Sequence, residues 1–98
     1  MSFEFTPKPS PGMVKALAEI YKERLRQEEL KAAGRFSFTC ADDGLSLGEK
    51  LAVLGEEFGE VARAVLEAME KVNDVHGVNL RKELIQVAAV AMAWAESL

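Results

Sequence analysis

The chain has 98 residues, 49% of them hydrophobic and 29% charged, a length suited to one domain and a balance too apolar for a disordered chain. Twelve basic residues against sixteen acidic ones give a formal charge of −4, which argues against a partner of the nucleic-acid-polymer kind, since that footprint is a basic stripe. The single cysteine, Cys40, excludes an internal disulfide framework and a cysteine-rich zinc site.

Phe3-Glu4-Phe5 is followed by Thr6-Pro7-Lys8-Pro9 and not by an apolar run, so no signal peptide is expected. The longest uncharged stretch, Leu84 to Ala95, falls short of the roughly 20 residues that span a bilayer. The expectation is a cytoplasmic protein without a membrane partner. All three prolines and Gly12 fall in residues 1–12, which read as an extended N-terminal arm before a helical domain over residues 13–98. Phe3 and Phe5 alternate with polar residues, so the arm either lies on a partner's surface or is a frayed terminus.

Ser10-Pro11 pairs a hydroxyl N-cap with proline at the first helical position, and Gly34 supplies a C-terminal stop. Between them Val14, Leu17, Tyr21, Leu25 and Glu28 recur at spacings of three and four, and the last two turns are densely charged. Arg35 to Gly44 reads as a loop carrying Phe36, Phe38, Cys40, Asp42 and Asp43. Ser46 and Glu49 form a capping box ahead of a second helix. Its seam, Leu47, Leu51, Leu54, Phe58, Val61, Val65, Ala68 and Val72, predicts a helix of about 27 residues and about 40 Å. Asn73 to Gly77, including His76, breaks it. Asn79 is the expected cap of a third helix to about Ser97, with Leu80, Leu84, Val87, Ala91, Trp94 and Leu98 on one stripe. No alternating run rich in β-branched residues is present. The fold class is all-α, a helical bundle completed by homo-oligomerisation, because three unequal helices cover one another's apolar surface poorly.

Chemistry concentrates on the second and third helices. Glu57 and Glu60 lie about 60° apart, beside the seam and not opposite it, with small apolar Val53 and Ala64 bracketing them. Glu57-Phe-Gly-Glu60-Val-Ala matches Glu83-Leu-Ile-Gln86-Val-Ala, displaced by 26 residues. Packed antiparallel, the two segments bring three carboxylates and one amide together. Such a set repels itself unless a cation sits within it, and its oxygens suit Mg²⁺ or Mn²⁺. The alternative is a solvated acidic face, the usual fate of glutamates three apart on a helix.

Leu54-Gly55-Glu56-Glu57-Phe58-Gly59-Glu60-Val61-Ala62, followed by Glu83-Leu84-Ile85-Gln86-Val87, resembles the MazG-like all-α nucleoside triphosphate pyrophosphohydrolases, whose signature is ExxE, a variable spacer and then ExxD. The spacer here is 22 residues. With Glu23-Arg24-Leu25-Arg26-Gln27 and Gly34 the resemblance covers most of residues 20–97. It implies a Mg²⁺-dependent enzyme that cleaves a nucleoside triphosphate between the α- and β-phosphates. It also implies Glu57, Glu60 and Glu83 as metal ligands and Gln86 where the family has aspartate. An amide oxygen can coordinate Mg²⁺, but it carries no charge and cannot act as a base. Glu57, or Glu56 as a substitute, is the carboxylate expected to act on the attacking water. Lys50, two turns from Glu57, is the expected phosphate cation, ahead of Arg26, Arg24, Arg81 and Lys82; Phe36 and Phe38 are the expected base-stacking residues. Trp94 on its seam reads as core, and Cys40, with no histidine near it in sequence, does not read as a nucleophile. The contrasting expectations are a catalytically silent helical nucleotide-binding or interaction module, and a plain coiled-coil adaptor.

Overall fold

The computed structural model describes residues 7–70 and 78–98, and within them the chain is all-helical: α1 (Pro11–Ala32), α2 (Leu47–Glu70) and α3 (Val78–Glu96). The expected break at Asn73–Gly77, with His76 and Val72, lies outside the described residues, as do Phe3 and Phe5. Among the described residues no helix is long and apolar enough to cross a membrane.

The ends of the helices follow from local chemistry. Met13 N donates to Ser10 Oγ at 3.1 Å with Pro11 at the first helical position. Helix α1 therefore begins at Pro11, and Pro11 and Gly12 belong to it and not to the arm. At its other end Arg35 N donates to Leu30 O at 2.8 Å and Gly34 N to Lys31 O at 3.0 Å. This is a Schellman closure, and it requires the positive φ of 75° that Gly34 adopts. Ser46 and Glu49 exchange backbone-to-side-chain hydrogen bonds, each 3.1 Å, at the start of α2. The expected cap at Asn79 is corrected. Helix α3 already includes Val78, so Asn79 is a helical residue, and an N-cap needs non-helical backbone.

Helix α3 lies between α1 and α2 and packs on both, while α1 and α2 do not pack on each other. Ala89 and Ala93 are wholly buried, and their small side chains let both neighbours approach. Val90 and Ala93 form the core with Cys40 from the loop, and Val53, Leu54, Ala41 and Trp94 pack against it. Trp94 is thus a core residue.

The inward faces of the helices depart from their apolar stripes. On α2 the packed positions are Lys50, Val53, Glu57 and Ala64, whereas Leu47, Leu51 and Phe58 of the seam stay exposed. On α1 they are Ile20, Arg24 and Gln27, while Val14, Leu17, Tyr21 and Leu25 are exposed. On α3 they are Val90 and Ala93, with Leu84, Ala91 and Leu98 exposed. Each inward stripe sits one residue before the apolar one, a rotation of about 100° about the helix axis. The apolar stripes, Leu54 and Trp94 apart, largely face outward, and charged or amide side chains take much of the interior. The radius of gyration, 16.5 Å, exceeds the about 13 Å of a compact chain of this length.

Candidate functional site

Turning polar faces inward gathers the chemistry-bearing residues. A pocket of about 380 Å³ opens between the second half of α1, the loop after it, α2 and α3. Arg26, Phe36, Phe38, Glu57 and Gln86, all singled out from the sequence, line it together. Glu23, Arg35, Thr39 and Cys40 line it too, and sequence reasoning missed them as site residues. Glu23 carried a faint signal: it stands three residues before Arg26 on one helix face, and Arg26 Nη1 donates to Glu23 Oε1 at 2.9 Å. Val53 and Val90 supply apolar surface. Phe36 and Phe38 remain about 40% exposed, so their ring faces are available to a ligand.

Two half-buried carboxylates line this pocket, Glu23 from α1 and Glu57 from α2. Burial pushes the pKa of Glu57 above the usual carboxylate range, and the negative charges of Glu83, Glu60, Glu23 and Glu56 push it the same way. The helix-2 and helix-3 motifs are therefore close enough to feel one another. All the donors are oxygens, the chemistry of a hard divalent cation, and a cation would relieve the repulsion that Glu57 experiences. The carboxylates are gathered but not converged: among the described residues, no three His, Cys, Asp or Glu side chains are placed so as to hold a metal ion. Glu56 and Glu60 are exposed and Glu83 half-buried, and none of the three lines the pocket.

Lys50 lies apart from this group. It is 4% exposed, and its Nζ donates to Ser97 Oγ at 2.7 Å, which in turn donates to Trp94 O at 2.6 Å. It fastens α2 to the end of α3 and does not line the pocket. Arg24 is likewise interior and not a surface charge. It donates from Nε to Glu96 Oε2 and from Nη1 to Glu28 Oε2, each at 2.5 Å. Its burial works against the charge, but these bonds outweigh it and hold the guanidinium above its ordinary pKa. Arg81 and Lys82 border a second groove between α1 and α3, about 780 Å³, which meets the pocket at Glu23, Arg26 and Gln86; Arg81 Nε there donates to Glu19 Oε2 at 3.0 Å.

The loop that forms the aromatic wall is tied down by polar groups. Thr39 Oγ1 donates to Glu28 Oε2 at 2.9 Å, Thr39 N donates to Asp42 Oδ2 at 3.2 Å, and Lys31 pairs with Asp42. The Lys31 bond draws the Asp42 carboxyl below its ordinary pKa, and the Arg24 bond does the same for Glu28. Cys40 is 3% exposed, and burial raises its thiol pKa, so it keeps its proton and is a poor nucleophile. No family model, curated protein or solved structure matches the chain.

Proposed function

We propose that the chain is a Mg²⁺-dependent nucleoside triphosphate pyrophosphohydrolase of the MazG-like type, converting a nucleoside triphosphate and water to the monophosphate and pyrophosphate. The observation that carries this reading is the pocket that joins Glu57 and Gln86 to Phe36, Phe38 and Arg26. An aromatic wall beside charged groups matches a ligand with a flat base at one end and phosphates at the other. The rings of Phe36 and Phe38 stack the base; Arg26, with Arg35 beside it, takes phosphate oxygens. Mg²⁺, or Mn²⁺, would supply charge neutralisation at the phosphates; the resemblance assigns it to Glu57, Glu60, Glu83 and the Gln86 amide, which would have to draw together around it, since among the described residues they are not converged. Glu57, or Glu56 as a substitute, is the carboxylate that would accept the proton of the attacking water.

The exposed apolar stripes support a homo-oligomer, a dimer or a tetramer. Leaving Leu17, Tyr21, Leu51 and Phe58 more than half exposed forgoes on the order of 1–2 kcal/mol for each such side chain relative to full burial. A second copy of the chain covers them at no change in sequence.

The test is pyrophosphate release from a panel of ordinary and modified nucleoside and deoxynucleoside triphosphates with Mg²⁺ or Mn²⁺. Turnover is expected for at least one, with Glu57→Gln lowering kcat about a hundredfold or more. The second reading, a catalytically silent nucleotide-binding module, is favoured by Gln86 standing where the signature has a carboxylate. Tight, saturable nucleotide binding with no pyrophosphate from any substrate selects it.

A further inference from the structure

We propose that Glu28 is a positioning residue that holds the pocket's loop wall closed through Thr39; the role in substrate binding rests on the nucleotide reading above. Glu28 and Thr39 sit on different segments, the last turns of α1 and the loop after it. Glu28 does not line the pocket, whereas Thr39 and Cys40 do.

One carboxylate oxygen, Glu28 Oε2, accepts from both Arg24 Nη1 and Thr39 Oγ1, at 2.5 and 2.9 Å. Arg24 is itself fixed by Glu96. A run of charge-assisted bonds therefore leads from the last turn of α3 through α1 to the loop. Such bonds are roughly twice as strong as neutral ones, and the guanidinium at their centre is buried. Thr39 is 6% exposed, so the hydroxyl has little solvent to turn to if Glu28 is removed. Thr39 Oγ1 also accepts from Ala41 N at 3.3 Å, and Asp42 N donates to Thr39 O at 3.0 Å. The turn over Thr39–Asp42 is thus built around the residue that Glu28 grips. Phe36 N is already held by Leu30 O at 3.1 Å, so it is Phe38, the residue before Thr39, whose placement in the pocket wall follows from where Thr39 is anchored.

Cys40 provides a readout that is independent of any activity, being the chain's one cysteine and 3% exposed. Iodoacetamide labelling of the folded protein is measured for the parent, Glu28→Ala, Thr39→Val and Thr39→Ser at one pH, with far-UV helicity as the check on folding. Glu28→Ala and Thr39→Val are expected to label about tenfold faster, the scale of one hydrogen bond to a charged acceptor. Thr39→Ser, which keeps the hydroxyl, is expected to label at the parent's rate. A parental rate in folded Thr39→Val overturns the proposal, as does equal acceleration in Thr39→Ser, which assigns the effect to lost packing. Thr39→Val decides alone if Glu28→Ala does not fold. With a turned-over nucleotide, Glu28→Ala should raise KM more than it lowers kcat, and the reverse split overturns the positioning role. If no triphosphate is hydrolysed, the pyrophosphohydrolase reading fails, while the labelling rates still decide whether Glu28 holds the loop.

Discussion

Glu57 on α2 and Glu83 on α3 repel one another across the helix interface, and burial of Glu57 adds to the cost of its charge. A carboxyl whose pKa is raised on folding binds its proton more tightly in the folded state. Its penalty is absent below the ordinary value of about 4.3 and grows as pH rises through the folded pKa. Glu28, Asp42 and Glu19 are shifted the other way, chiefly by their hydrogen bonds to Arg24, Lys31 and Arg81, and favour the fold until pH falls below that range. Comparing the parent with Glu57→Gln cancels their contributions. The variant should gain stability over the parent as pH rises from about 4 to 7. A difference in melting temperature that is flat with pH, or that shrinks toward pH 7, would count against the repulsion.

Divalent metal should act on the same group. A cation bound only by the folded state stabilises it by about 1.4 kcal/mol at ten times its Kd, and 1 kcal/mol corresponds to about 4–8 °C for a domain this size. Mg²⁺ or Mn²⁺ should therefore raise the parent's melting temperature by several degrees at pH 7 and less at pH 4.5. The Glu57→Gln, Glu83→Gln double variant should lose the response with its helicity intact. If the double variant responds as the parent does, these glutamates are not ligands.

Arg24 tests how the polar interior is balanced. Its side chain is 7% exposed, while those of Glu28 and Glu96 are 45% and 49% exposed. Removing the cation leaves two carboxylates that water can reach, so Arg24→Met should cost about 1–2 kcal/mol. Neutralising both partners, Glu28→Gln with Glu96→Gln, leaves a buried guanidinium without counter-charge and should cost about 3 kcal/mol or more. Urea midpoints order the two. A larger loss in Arg24→Met would mean that the arginine's packing, not its charge balance, dominates.

The exposed stripes bear on assembly. Leu51 and Phe58 are 59% and 66% exposed on one side of α2, at seven-residue spacing. Leu51→Glu with Phe58→Glu places two charges there without touching the packed face. Sedimentation should find the parent larger than the 10.7 kDa chain at micromolar concentration and the double variant at that mass. A parent already at 10.7 kDa would remove the case for an oligomer.

Much of this was legible in the sequence, and what was not has a common physical origin. Capping chemistry is local, so Ser10-Pro11, Gly34 and the Ser46–Glu49 box marked helix ends well. Their hydrogen bonds lie within a few residues. Periodicity found each apolar stripe but not what the stripe packs against. The chain turns Arg24, Gln27, Lys50 and Glu57 inward, one position away from Leu25, Glu28, Leu51 and Phe58. An amphipathic pattern reports the sum of all surfaces a helix buries, including those against other chains. Lys50 looks like a free cation in the sequence because its partner, Ser97 at 2.7 Å, is 47 residues away. Thr39 escaped notice for the same reason: nothing in Phe38-Thr39-Cys40 announces that Glu28 binds its hydroxyl.

Gln86 carries the sharpest test of the proposed site. It lines the pocket with Glu57 and holds the position at which the resembled signature has aspartate. If the two motifs share a cation, Gln86→Asp adds a negative charge to its ligand set and should tighten Mg²⁺ binding and raise turnover, by about tenfold for each 1.4 kcal/mol gained. Aspartate is one methylene shorter, so part of the gain is offset if the helices do not close on it. Gln86→Leu keeps the size and removes the oxygen; it should weaken Mg²⁺ binding and lower turnover while leaving the fold intact. Calorimetric Mg²⁺ titration and pyrophosphate release are measured on all three proteins. An order of Asp above the parent above Leu in both assays marks Gln86 as a ligand. Equal affinity and equal turnover in the three would make it an ordinary helix residue. The proposed metal set on α3 would then reduce to Glu83.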